Sequence, residues 1–597
     1  MEIVVDKAAS STPQGCSFLV EAVGSQPVFT PEQITDDQMM FYSAAQEFME
    51  REVIPRSEEI DSMVPGLMPK LLKRAGEAGL LMAEVPEAFG GLDLEKVVVT
   101  LISEQTARQG SFGTAFGATT GIGTLPIVFF GTDAQKQRYL LKLATGELLA
   151  AYALTEPNSG SDALGAKTQA VLSEDGSEWI LNGQKIWITN AGFADIFIVF
   201  AKVDGEHFSG FIVESNRPGF STGEEEKKMG LKGSSTRMLF LDDVHIPKEN
   251  LLGEIGRGHK IAFNILNLGR LKLGAGSIGA AKPVFDTSVR YANMRHQFKR
   301  PIASFGAIQQ KIADMALLIF AGEAMAYRVA GAMDQTLHTL DPSDPDWNAK
   351  AMAGIEEFAV EASILKVFGS EAIAFVADQG VQIHGGLGFS AEYAVEKVYR
   401  DVRVNRIFEG TNEINRMLIP GIILKRTVKG ELNLFAAIQA VEAALAGPKV
   451  ELPEADEAFA VEVALTELAK KTFLMAANVA IQKYMTNLRD QQQLLLTLAD
   501  LVTSLYVMDS TVARVKQMQA AGKVQEIHRL LASVMCAESY RSVIDTVDAL
   551  LPSLAKDDKL SQLYVKLEHL KVRPGIDLIK AKRAIAAHFI EREKYSV

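Results

Sequence analysis

A block of β-patterned sequence stands between two long stretches of helical periodicity, and this interruption restricts the possible architectures more than any other feature of the chain. From about residue 36 to 150 apolar residues recur at helical spacing, as in Leu71, Leu72, Ala75 and Ala78, with Gly and Pro between segments. From about 151 the pattern changes to β-branched and aromatic runs: Trp179-Ile180-Leu181, Ile186-Trp187-Ile188-Thr189 and Ile196-Phe197-Ile198-Val199-Phe200. Further strands are expected at Gly210 to Val213 and Arg237 to Phe240. The pair Asn182-Gly183 predicts a type I′ hairpin between the first two runs, because both residues tolerate positive φ. Helical spacing returns after Gly258 and runs to about Lys425, and a linker with Gly447-Pro448 and Pro453 opens a last helical region. The expected division is an arm over 1–35, a helical domain over 36–150, a β module over 151–258, a helical bundle over 259–428 and a helical extension over 429–597.

With 597 residues, 48% of them apolar and 23% charged, the chain has enough material for several buried cores. Its net charge of −13 argues against general nucleic-acid binding, since phosphate neutralisation needs clustered Lys and Arg. Two cysteines, Cys16 and Cys536, supply neither a disulfide framework nor a metal cage. The first residues lack the apolar core and cleavage site of a secretory signal. The longest apolar run, Leu494 to Met508, contains Asp500, so no spanning helix is expected. A cytoplasmic placement follows as an expectation, with contact at the inner face of a membrane left open.

The segment Gly274-Ala275-Gly276-Ser277-Ile278-Gly279 matches G-x-G-x-x-G in isolation. Residues Asn264 to Leu273 before it do not read as a buried strand, and no acidic residue follows at the ribose-binding offset. Small residues for close helix packing are the expected explanation.

Five other segments carry more information. They are Tyr152-Ala153-Leu154-Thr155-Glu156-Pro157-Asn158-Ser159-Gly160-Ser161-Asp162, Leu181 to Asn190, Arg295-His296-Gln297-Phe298-Lys299-Arg300-Pro301-Ile302, Gln382-Ile383-His384-Gly385-Gly386-Leu387-Gly388-Phe389 and Arg406-Ile407-Phe408-Glu409-Gly410-Thr411-Asn412-Glu413. In this order they resemble the acyl-CoA dehydrogenase family over roughly residues 40 to 425, and the helical tail resembles that of the very-long-chain branch. The resemblance implies a mainly α fold of helical lobe, inserted β-barrel and four-helix lobe, plus an extra C-terminal helical domain. It also implies an FAD-dependent enzyme.

By the same resemblance Tyr152, Leu154, Thr155, Ser161, Trp187 and Thr189 belong to the flavin site, the indole covering a ring face and the threonines bonding its edge. Arg295, Phe298, Gln382, Gly386, Thr411 and Glu413 match positions that hold the pyrophosphate, ribityl chain and adenine, some across a subunit interface. Ser161, Asn267, Arg270, Phe408 and Gly410 match substrate-contacting positions, Gly410 leaving room for the thioester. Taken singly, Trp187 reads as a core aromatic on a hairpin, Arg295 as a surface ion pair and Gly385 and Gly386 as possible turn residues.

Glu409 matches the catalytic base. An α-proton of a thioester is weakly acidic, so its removal calls for a base with raised proton affinity and a carbonyl held by donors. A carboxylate beside Phe408 is suited to this, since a bound acyl chain excludes water and strengthens it. Without the motif, Glu409 reads as a first-turn glutamate facing a helix dipole.

The implied reaction takes a long-chain fatty acyl-CoA to its trans-2-enoyl-CoA, the first step of β-oxidation, with hydride passing to flavin N5. Electron-transferring flavoprotein is the implied acceptor. A flavin-bearing assembly scaffold and an acyl-CoA oxidase are the alternative readings. The tail resemblance implies a homodimer, and the amphipathic Leu494 to Met508 stretch suits either a partner subunit or a membrane surface. Gly121 and Gly123 fall where long-chain members keep small residues to deepen the pocket, whereas Pro126 departs from that branch.

Overall fold

The computed structural model describes residues 12–453 and 458–597. They form two compact units.

The larger unit comprises residues 34–323, 365–415 and 582–597. It opens with helices Asp36–Phe48, Leu67–Glu77, Lys96–Thr106, Gly110–Gly117 and Asp133–Ala144. Thr35 and Gln38, and again Thr132 and Gln135, form reciprocal capping boxes that satisfy the free N–H groups at two of these starts. A core of Phe48, Leu71, Leu72, Ile102 and Phe112 lies among them.

An eight-stranded sheet follows, with strands β1 Ala150–Ala153, β2 Gln169–Leu172, β3 Glu178–Thr189, β4 Ile196–Val203, β5 His207–Glu214, β6 Phe220–Thr222, β7 Thr236–Pro247 and β8 Leu251–Leu252. The order is β6-β7-β3-β2-β4-β5-β8, with β1 parallel to β4. The expected barrel does not close. Its end strands β6 and β8 are three and two residues long and pair on one side only. Trp179, Leu181, Phe197, Phe211, Leu239 and Ile246 of its strands belong to one buried hydrophobic cluster.

The hairpin expected at Asn182-Gly183 is also absent, because Glu178–Thr189 is one continuous strand. The pairing of β3 with β7 slips there, from Leu181↔Val244 to Gly183↔Leu241. The Asn182 side chain bonds Asp243, which has φ 48°, so the dipeptide marks a bulge and not a chain reversal.

The helix Gly258–Met294 carries the G-x-G-x-x-G segment in its interior. A Cβ on Gly274 would lie 2.5 Å from Leu365 Cγ, and one on Gly279 would lie 2.4 Å from Glu104 Cα. These glycines therefore let helices approach closely, as the sequence indicated.

The smaller unit holds the described part of the arm, residues 324–364 and residues 416–581. Helices Ala460–Tyr484, Gln492–Ala520 and Glu526–Leu554 pack on one another. The arm docks on them: Phe18 meets Tyr506 at 4.8 Å, Lys470 Nζ donates to the Glu21 carbonyl and Arg514 binds Glu32. Asp509, buried, binds both Arg328 and Lys470 at 2.7 Å. Leu498, Val502, Leu505 and Met508 are buried, so the apolar face of Leu494 to Met508 is used in packing. Segments Gly110–Phe130, Gly306–Leu337 and Gln492–Ala520 are long and apolar enough to cross a membrane, unlike the expectation above, and most of each is buried in the protein.

Candidate active site

The loop that carries Glu409 is built against its intrinsic preference. Glu409 and Gly410 adopt φ 58° and 78°, two consecutive left-handed residues. For Glu409 this costs about 1–2 kcal/mol, so the surroundings must hold it. Asn415 does much of this, its amide nitrogen donating to the carbonyls of Glu409, Gly410 and Thr411 at 3.3, 2.8 and 3.0 Å. Arg270 Nε donates to the Glu409 carbonyl at 3.3 Å, and Lys366 Nζ donates to the Gly410 carbonyl at 2.7 Å. Thr411 caps the helix that follows by accepting from the Ile414 N–H. At Gly410 the glycine supplies conformation more than room, since a Cβ there would lie 3.2 Å from Asn415 Nδ2.

The Glu409 carboxylate points into a cavity of about 190 Å³, whose apolar wall includes Leu80, Ile102, Phe116, Leu273 and Phe408. A Cβ on Gly269 would lie 2.8 Å from Glu409 Oε2, so only glycine leaves the carboxylate its place. That oxygen is shielded and has no hydrogen-bond partner among the described residues. Burial pushes Glu409 up to about 7, against the pull of Arg270, Lys366 and Lys272. Arg270, itself buried and bound to Asn267 Oδ1 at 2.8 Å, is lowered to about 10 by desolvation. Tyr152 is also buried, its hydroxyl has no hydrogen-bond partner among the described residues, and burial followed by the Glu409 charge raises its pKa.

Of the positions singled out in the sequence, Thr189, Phe408 and Glu409 line the cavity, and Asn267, Arg270, Gly410 and Thr411 lie around the loop behind it. Leu154, Thr155 and Trp187 share one corner. The Ile186 N–H donates to the Thr155 carbonyl, and Trp187 sits at φ 59° on a bulge where β3 slips against β7 between Lys185 and Ile188. The indole is 55% exposed, so it is not a core aromatic.

Ser161, Arg295, Phe298, Gln382, Gly386 and Glu413 lie on the surface. Phe298 and Lys299, both left-handed, form the turn of a small hairpin pairing His296 with Pro301. The Tyr291 ring stacks on His384 at 4.2 Å, which brings that corner beside the Gln382–Gly386 segment. A Cβ on Gly385 or Gly386 would meet nothing within 4 Å, leaving the backbone bare.

Several supporting residues escaped sequence reading. Lys185, fully buried, binds Glu156 Oε1 at 2.7 Å, and Glu156 also accepts from the Lys167 and Thr168 N–H groups. The signal was a lysine at an inward-facing position of an alternating strand. Glu84 stands in the cavity wall bound to Lys96 and Lys272, which hold it down to about 2 although burial pushes the other way. Gly121 lines the cavity, with Lys272 Nζ 3.5 Å from where its Cβ would be. Gly123 does not line it; a Cβ there would strike Ala150 Cβ at 2.6 Å. Pro126 is buried in helix Leu125–Phe130, away from the lining.

Known proteins share this fold. Family models described as the N-terminal, middle and C-terminal domains of acyl-CoA dehydrogenase match residues 35–147, 151–244 and 256–423, and a further C-terminal domain model matches 468–569. A "Probable acyl-CoA dehydrogenase" of Bacillus subtilis (strain 168) is 46% identical over 99% of this chain and 100% of its own length. The mitochondrial "Very long-chain specific acyl-CoA dehydrogenase" of Macaca fascicularis is 34% identical over 94% of this chain and 87% of its own. A crystal structure of an acyl-CoA dehydrogenase complexed with FAD from Bacillus anthracis superposes with TM-score 0.96 at 47% identity, covering 98% of this chain and all of that one. With matches that span all of its helical and β-patterned regions, the chain belongs to the acyl-CoA dehydrogenase family.

Proposed function

We propose that this protein is an FAD-dependent acyl-CoA dehydrogenase that converts a long-chain fatty acyl-CoA to its trans-2-enoyl-CoA, with Glu409 as the base. The observation that carries the reading is a shielded carboxylate oxygen without a partner, held by a left-handed loop at an apolar cavity.

The residues present fit FAD. Trp187 offers an exposed aromatic face beside Leu154 and Thr155, the bare backbone at Gly385 and Gly386 suits a diphosphate, and Arg295 is an exposed cation on the neighbouring corner. When bound, the flavin supplies the acceptor for the β-hydride.

The chain's own contribution is to bind, dry and deprotonate. Leu80, Ile102, Phe116 and Leu273 take the acyl chain out of water. The Glu409 N–H, which makes no hydrogen bond among the described residues, is available to the thioester carbonyl. Glu409 Oε2 then takes the α-proton, and substrate burial strengthens it as a base at that moment. Long-chain preference is supported by the small Gly121 in the cavity wall and by the very-long-chain relative. Electron-transferring flavoprotein is the proposed acceptor, on family grounds. Exposed Met294, Phe298 and Phe389 support a homodimer. A cytoplasmic location is proposed, with contact at the inner face of a membrane left as an open alternative.

Anaerobic mixing with palmitoyl-CoA and a dye acceptor tests the reading. Flavin bleaching with dye turnover, abolished in Glu409→Gln, is the expected result; bleaching that survives the substitution would overturn the role of Glu409. A protein that binds flavin without bleaching is a scaffold.

A further inference from the structure

Lys366 is fully buried on helix Ala359–His384, directly behind the Glu409 loop. Its ammonium donates to the Gly410 carbonyl at 2.7 Å and to Asn412 Oδ1 at 2.8 Å. Asn412, also buried, turns its amide nitrogen to Ser370 Oγ at 3.1 Å and Glu371 Oε1 at 3.0 Å, so one face of this helix grips the loop at successive points. An ammonium is costly to bury, and here its two hydrogen-bond acceptors among the described residues are neutral oxygens and not a carboxylate. A neutral donor would satisfy those contacts at lower desolvation cost, so the charge calls for an explanation beyond packing.

We infer that Lys366 is a positioning residue for the reaction: it clamps the Glu409–Gly410 turn through the Gly410 carbonyl and Asn412, and its charge sets how readily the Glu409 carboxylate takes a proton. The inference rests on Glu409 being the base. The charged and titratable groups around Glu409 are Arg270 and Lys272 on helix Gly258–Met294, Lys366 on the helix behind and Tyr152 on β1. Around Lys366 stand Glu409, Arg270, Glu413 and Glu371. Burial lowers Lys366 to about 7, with Glu409 opposing and Arg270 assisting, while burial raises Glu409 to a similar value. The two groups thus compete for a proton in one pH range, and any acid limb belongs to the pair. Arg270 alone could not play this part, since it stays charged throughout that range.

The test uses the flavin-loaded enzyme and the variants K366Q, K366M and K366R. Removing the charge removes a pull toward ionised Glu409, so the acid limb of kcat/KM moves alkaline by about one pH unit in K366Q and K366M, with about tenfold less activity on that limb. K366R, whose charge is permanent, does not move the limb alkaline. K366M, which loses the donor as well, also falls on the alkaline plateau, whereas K366Q falls less. An independent readout is the infrared carboxyl band that disappears in E409Q: its titration midpoint rises in K366Q. Should K366M fail to fold, K366Q and K366R decide the matter. A band and limb that stay put in K366Q overturn the inference. Turnover that persists in E409Q instead overturns the role of Glu409, and the band titration then still reports whether Lys366 acts on position 409.

Discussion

Lys185 donates to Glu156 Oε1 across 2.7 Å while its own side chain is wholly shielded from solvent. The same ammonium reaches the Leu154 carbonyl at 3.3 Å, and Glu156 gathers two further N–H groups. The pair therefore fixes the Leu154–Glu156 segment on β3 beside the Trp187 bulge. Breaking a buried pair from one side leaves an uncompensated charge, which costs about 3–5 kcal/mol. Glu156→Gln is expected to lower the urea midpoint accordingly and to release flavin during gel filtration; retention of both would show that the pair supports neither.

The raised proton affinity of Glu409 makes activity and stability respond oppositely to pH. The base works only when ionised, so kcat/KM rises with pH through a midpoint near 7. For stability, a folded-state pKa above the unfolded value of about 4.3 gives a contribution fully present below that value and lost as pH rises through 7. Glu409→Gln does not titrate. Its melting temperature relative to wild type should therefore increase between pH 4.5 and pH 8, which thermal melts at a series of pH values will show.

Gly410→Ala puts a Cβ at φ 78° and 3.2 Å from Asn415 Nδ2. Relaxing the turn moves Glu409, and a displacement of about 1 Å at a reacting group costs about 100-fold in rate. The expected variant folds, binds flavin and loses about that much kcat, measured by dye reduction at saturating substrate. Full activity would mean that the left-handed turn is not needed.

Gly121 and Gly123 should behave differently although they are two residues apart. Gly121 lines the cavity with only Lys272 near its Cβ position, so Gly121→Met is expected to raise KM for palmitoyl-CoA about tenfold or more while sparing butyryl-CoA. Gly123→Ala strikes Ala150 instead and lowers stability by about 1–3 kcal/mol without altering the ratio of the two substrates. A chain-length panel with both variants separates the roles.

The motifs around Tyr152, Trp187 and Glu409 were legible because each needs special residue types in a fixed order, and the helix–strand–helix texture followed from hydrophobic period alone. What sequence could not reveal was tertiary. Asn182-Gly183 has the composition of a hairpin, yet its neighbours pair with β7 over the whole of Glu178–Thr189, so the local preference became a bulge. The sheet stays open at β6 and β8, three and two residues long and each paired on one side only, and strand pairing of this kind is not written in hydrophobic period. Lys366 and Asn415 look like ordinary helix residues in one dimension, and only folding brings both to the Gly410 carbonyl.

Residues 582–597 group with the unit that holds the cavity, where Phe589 meets Phe285 at 5.2 Å and Tyr595 bonds Glu323 and Asp286. Phe285 lies on the helix that also bears Gly269 and Arg270. During translation the enzymatic part must wait, one stretch of its interior still open, until the ribosome has passed the entire helical extension. A stalled or prematurely released chain would expose that gap to chaperones and proteases even though Glu409 and the whole cavity lining had already been made.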